Sequence, residues 1–144
     1  MAQDDHQKVD EKAVPVSGLV PMLHVLDVER SVAFYKLLGF AVGNRLPRMG
    51  LMHWAWLYAP GVPDWRRGPN LMLTRSESAI VPDAQIIVFY LYATNLVALR
   101  EELLRAGQSP GPIQYPDYLP KGQLQLHDPD GYCLMVAQTN TDTP

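Results

Sequence analysis

Cysteine is nearly absent from this chain of 144 residues: Cys133 is the single one. No internal disulfide is open to it, and no cysteine zinc cluster. That suits a reducing compartment, and the expected location is the cytoplasm. Charge is also sparse, with 12 Lys and Arg against 15 Asp and Glu and a formal net charge of -3. A nucleic-acid binder shows a basic face, so no nucleic-acid partner is expected. The small negative excess permits a cationic ligand without requiring one. Long apolar runs are missing too. The longest, residues 86–93, is far too short to span a bilayer, and no membrane partner is expected. Residues 1–17 are polar, carry Asp4, Asp5, Asp10 and Glu11, and lack the apolar core of a signal peptide. They read as a disordered leader, and residues 139–144 as a similar tail.

What is present reads as two similar halves. In the first, an apolar stretch at 19–26 ends at Asp27, a good helix N-cap, with Glu29 in the first turn where the helix dipole favours an anion. Ser31, Phe34, Tyr35 and Leu38 then fall on one helical face, and Gly39 stops the helix. Residues 40–48, 52–59 and 70–74 read as strands, the first disturbed by Gly43 and Pro47, with a Pro- and Gly-rich loop at 60–69. In the second half, a strand at 85–93 precedes a helix capped by Thr94 or Asn95. That helix carries Leu96, Leu99, Leu103 and Ala106 on one face and ends at Gly107. Strands at 113–115, 123–127 and 132–138 follow, the last two joined by the turn Asp128-Pro129-Asp130-Gly131. Each half is therefore strand, helix, strand, strand, strand. The boundaries are 18–76 for the first module, 77–84 for a linker and 85–138 for the second.

Two segments carry a resemblance. Residues 27–40, DVERSVAFYKLLGF, resemble the first-helix signature of the vicinal-oxygen-chelate superfamily, which includes glyoxalases, bleomycin-resistance proteins and ring-cleaving dioxygenases. Residues 128–132, DPDGY, resemble its last hairpin. The resemblance covers roughly residues 18–138. It implies an α+β fold of two βαβββ modules that form a curved mixed sheet around a cavity. It also implies pairing as a homodimer, with cavities built from both modules and often from both chains. Shared fold does not carry function, which has to come from the site.

Metal-dependent members of the superfamily hold the ion with His, Glu or Gln at four cavity-facing places. Counted from the two motifs, those places here are Val20, Met72, Val88 and Met135. None offers a carboxylate, amide or imidazole, and thioether sulfur is too soft for the magnesium, nickel, zinc or iron such enzymes use. The resemblance therefore implies a protein without metal or other cofactor and without a catalytic group, similar to the bleomycin-resistance proteins. It would hold an antibiotic or metabolite by binding alone. The alternative is a lyase or ring-cleaving dioxygenase of the same superfamily whose metal has moved, to His24, His127 and a carboxylate for instance. His24, His53 and His127 otherwise read as ordinary cavity-lining or rim histidines, and Cys133 as a small apolar residue.

The candidate ligand contacts are aromatic first. Met52, Trp54, Trp56 and Tyr58 alternate onto one face of their strand. That face is either core or dimer interface, or a stacking wall for a planar ligand, each stacked pair adding about 0.5–1.5 kcal/mol beyond burial. Trp65, beside Arg66 and Arg67, lies in the following loop, where a tryptophan is harder to explain as core. In the second half, Tyr90 and Tyr92 share a face with Val88, and Tyr115 and Tyr118 flank a rim loop. Gln123, Gln125 and His24 are the neutral polar groups expected to converge in a largely apolar pocket. Surface exposure is their plainer reading.

Overall fold

The structure, a computed structural model, describes residue 16, residues 18–62 and residues 67–139. Most of the expected leader, the tail beyond residue 139, and the candidate contacts Trp65 and Arg66 lie outside the described residues.

The chain runs β1 (Met22–Val25), α1 (Val28–Leu37), β2 (Ala41–Leu46), β3 (Trp54–Tyr58) and β4 (Asn70–Arg75). It continues as β5 (Val88–Ala93), α2 (Leu96–Arg105), β6 (Gln123–His127) and β7 (Cys133–Gln138). The first five elements form a four-stranded sheet in the order β1-β4-β3-β2, with β1 parallel to β4 and the other pairs antiparallel. The rest form a three-stranded sheet in the order β5-β7-β6, with β5 parallel to β7 and β6 antiparallel to it. Both halves thus pair their first strand with their last, the helix supplying the crossover that parallel neighbours require.

Local chemistry sets the helix ends. The Asp27 carboxylate accepts the Arg30 N–H at 3.2 Å, and the Asn95 side chain accepts the Ala98 N–H at 3.1 Å, so Asn95 and not Thr94 is the second cap. Beyond the helices, Gly39 and Gly107 adopt φ of 95° and 83°, the left-handed conformation that glycine enters without a Cβ penalty.

Side chains alternate in burial along the strands. Leu23, Val25, Ala55, Leu57, Leu71 and Leu73 turn toward α1, while Leu124, Leu126, Leu134 and Val136 do the same in the second sheet. With Val28, Val32, Phe34 and Tyr35 of α1 and Leu96 and Leu103 of α2, they make one core that joins the two halves. Three expectations need correction. Ala106 is exposed, because the helix ends at Arg105 and the residue no longer faces the sheet. The strand at 113–115 shrinks to a single bridge, Gln114 to Gln123. Pro112 and Pro116 on either side have no N–H to extend a ladder. Met52 precedes β3 and is buried in the core, its N–H donating to Glu29 Oε1 at 2.8 Å, so it does not share the Trp54 face.

Candidate functional site

Strand register assembles the aromatic face. Across the first sheet, one row runs His24, Thr74, Trp54, Leu46, and the next Met22, Met72, Trp56, Asn44. This is the face away from α1, and Trp54, Trp56 and Tyr58 are half-buried on it. Trp56 and Tyr58, two apart on one strand, stack with ring centroids 5.3 Å apart and planes inclined by 17°. The Trp56 indole N–H donates to Asn70 Oδ1 at 3.3 Å, and the Asn70 amide donates to the Gly68 carbonyl at 3.2 Å. Gly43 makes room for the indole: a Cβ there would lie 2.3 Å from two carbons of the Trp56 six-membered ring. The glycine that disturbs the β2 sequence is therefore what lets the tryptophan settle against the strand. A cleft of about 280 Å³ opens here, lined by Val20, Asn44, Trp54, Trp56 and Met72. Val20 and Met72, two of the four places counted from the motifs, thus lie in one cleft with the two tryptophans.

The second sheet presents a corresponding face. Its rows are Tyr90, Met135, Gln125; Tyr92, Ala137, Gln123; and Val88, Cys133, His127. Tyr90 and Tyr92 are 49% and 57% exposed. The Gln125 amide donates to Cys133 Sγ at 3.3 Å. Gln123 is buried; its amide donates to the Tyr118 hydroxyl at 3.0 Å, and its Oε1 has no hydrogen-bond partner among the described residues. Tyr115 is exposed, on the loop that leads into β6 and close over Gly122.

The structure thus sorts the expected site residues into two groups. His24, Trp54 and Trp56 stand on the first sheet. Tyr90, Tyr92, Gln123 and Gln125 stand on the second, with Tyr115 at its rim. The tryptophan cleft takes no residue from the second sheet. A second cavity, about 200 Å³, lies at the seam between modules, with Leu23 and Leu71 on one side and Phe89, Tyr90, Leu91 and Leu134 on the other. Its walls are almost wholly apolar, and of the expected contacts it includes Tyr90 alone. Among the described residues, no three His, Cys, Asp or Glu side chains gather as a metal-binding group; His24 and His127 stand on different sheets.

Sequence reading missed the joint that ties the modules. Asp128 accepts the Tyr35 hydroxyl at 2.8 Å and the N–H groups of Asp130 and Tyr132 at 2.9 Å. Asp130 accepts the Leu26 N–H at 3.1 Å and the Ser31 hydroxyl at 3.4 Å, and pairs with Arg30 at 3.4 Å. Tyr132 completes the joint by donating to the His24 carbonyl at 2.9 Å. The two segments that carry the superfamily resemblance therefore grip one another. Burial pushes the Asp128 carboxyl above its ordinary value, while the Tyr35 hydroxyl bond opposes that shift. The Tyr35 phenol is driven far above its ordinary value, by burial first and then by the charge of Asp128. Only the turn was legible in Asp128-Pro129-Asp130-Gly131, because the partners of its carboxylates lie about a hundred residues away.

This arrangement is the fold of the glyoxalase and bleomycin-resistance proteins, the superfamily whose first-helix and last-hairpin motifs the sequence resembles. A bleomycin-binding protein solved with bleomycin superposes with a TM-score of 0.65 at 19% identity, over 87% of this chain and all of that one. The bleomycin resistance determinant encoded on the transposon Tn5 gives 0.66 at 19% identity, over 87% and 99%. A glyoxalase/bleomycin resistance protein from Streptomyces sp. CB03234 gives 0.61 at 19% identity, over 85% and 100%. No family model and no curated protein matches the sequence. Among the described residues, no helix is long and apolar enough to cross a membrane.

Proposed function

We propose that this protein is a cytoplasmic, metal-independent binding protein that sequesters a small planar molecule, an antibiotic or a metabolite. The observation that carries the reading is the cleft on the first sheet. There Trp54 and Trp56 stand beside Val20 and Met72, where an ion-binding relative would need hard donors. Stacking supplies the affinity, each ring pair adding about 0.5–1.5 kcal/mol beyond burial, and no catalytic group is required. His24 borders the cleft, in one row with Thr74 and Trp54. Tyr90, Tyr92, Tyr115, Gln123 and Gln125 close over the ligand from a second module. That module belongs to the partner chain of a homodimer, a reading supported by the half-exposed Tyr90 and Tyr92, which would be covered on assembly. The bleomycin-binding protein of the same fold, solved with its drug, supports the binding role.

Tryptophan-fluorescence titration and calorimetry with bleomycin-type and other planar compounds test this. At least one compound is expected to bind more tightly than about millimolar and to change the tryptophan emission. No such compound, together with stoichiometric metal in protein purified without chelators, would replace this reading by that of a metalloenzyme.

A further inference from the structure

From the charge pattern of the two sheet faces we infer that the ligand is an uncharged, flat aromatic molecule; this rests on the binding role proposed above. Neither row of the first sheet contains an Asp, Glu, Lys or Arg, and none of the three rows of the second does. Whichever sheet closes across the tryptophan cleft, its own or a partner's, brings no ionic group. The polar atoms on offer are amides, hydroxyls and imidazoles.

Three charged side chains close to the first sheet, Arg45, Glu29 and Arg30, are engaged away from this face. Arg45 pairs in register with Ala55, off the cleft face, and its guanidinium donates to the carbonyls of Pro47 and Gly50. Glu29 accepts the Met52 N–H. Arg30 and Asp130 hold each other in the joint between modules. An ion entering the cleft would lose its water and gain no counter-charge, the costly case for burial. Nor does the face form a cage for a cation, which needs several ring faces converging on one point. Trp56 and Tyr58 lie nearly parallel, at 17°, and Tyr58 is not among the cleft residues. Met72 adds a polarizable sulfur suited to an aromatic edge. The buried, unpartnered Gln123 Oε1 on the second sheet is an acceptor suited to a hydroxyl or N–H of a neutral ligand.

Three probes with one ring system separate charge from shape: 2-(hydroxymethyl)anthraquinone, anthraquinone-2-sulfonate and 2-(trimethylammoniomethyl)anthraquinone. Each is titrated into the full chain by calorimetry and tryptophan fluorescence. The neutral probe is expected to bind about tenfold or more tightly than either ion. Asn44→Asp, at an exposed cleft position, is expected to raise the cation's affinity relative to the neutral probe about fivefold or more. An ion that binds the natural protein as tightly as the neutral probe overturns this inference and leaves the binding role standing. Failure of all three probes to bind below about millimolar, when a compound of the wider panel does bind, overturns this inference alone; failure of the whole panel as well overturns the binding role with it. An unchanged ratio in Asn44→Asp overturns the placement in this cleft.

Discussion

Asp128 is a carboxylate held by neutral donors. The Tyr35 hydroxyl bonds one oxygen and two backbone N–H groups bond the other. An asparagine can keep this pattern, its oxygen taking the two N–H groups and its amide donating to Tyr35. Asp128→Asn is therefore expected to cost about 1 kcal/mol or less. Asp128→Ala strands three donors, two of them in fully buried bonds, and should cost about 3 kcal/mol; urea unfolding of both variants measures the difference. The raised Asp128 carboxyl also has a sign. The native state keeps that proton to higher pH than the unfolded chain does. Its contribution is present below the ordinary value of 3.8 and is lost as pH rises through the higher native value. Tyr35 behaves alike at the alkaline end. Above its ordinary value of 10.0 the unfolded phenol ionises and the native one does not, so stability falls as pH rises further. Tyr35→Phe is expected to flatten that alkaline loss in unfolding midpoints measured from about pH 9 to about 11, while costing about 1–2 kcal/mol at neutral pH for the lost bond.

Elements came through most clearly where their signals are local. Each helix was marked by a cap, an apolar spacing of three to four residues and a closing glycine, and each of these acts within one turn. The Asn95 cap is testable: Asn95→Ala should lower stability by about 1 kcal/mol, or the melting midpoint by about 3 °C, and Asn95→Asp should leave it nearly unchanged. Calorimetric melting distinguishes the two. The element that failed was the strand at 113–115. Ile113, Gln114 and Tyr115 can extend as a strand does, but Pro112 and Pro116 have no N–H to donate, so pairing stops at the single bridge from Gln114 to Gln123. Met52 failed for a related reason. The alternation of Trp54, Trp56 and Tyr58 holds only within β3, and two residues earlier the Met52 N–H leaves the ladder for Glu29.

At the scale of the whole molecule, the half-exposed Val88, Tyr90 and Tyr92 form an apolar strip on one sheet, the kind of surface that marks an interface. Sedimentation is expected to give twice the chain mass, and Tyr92→Lys to shift it toward the single chain. A ligand that binds only the folded state should stabilise it by about 2.7 kcal/mol at a hundred times its dissociation constant. A thermal-shift series with the neutral anthraquinone probe checks that increment. The candidate site was legible in part. Alternation alone places Trp54 and Trp56 together, but the role of Gly43 beneath Trp56 depends on strand register, which a single strand's sequence does not state.

While the choice of Asn95 over Thr94 as the second cap came from the structure, the sequence by itself determined the two helices, the cap at Asp27, the stops at Gly39 and Gly107, and the alternation of Trp54, Trp56 and Tyr58 onto one face. All of these follow from interactions within a few neighbours along the chain. Only the tertiary structure decided that Asp128 would meet Tyr35, that Asp130 would meet Leu26 and Arg30, and that His24 and Gln125 would stand on different sheets. Those outcomes depend on how two modules dock across about a hundred residues of chain, and docking is settled by the joint burial of both cores.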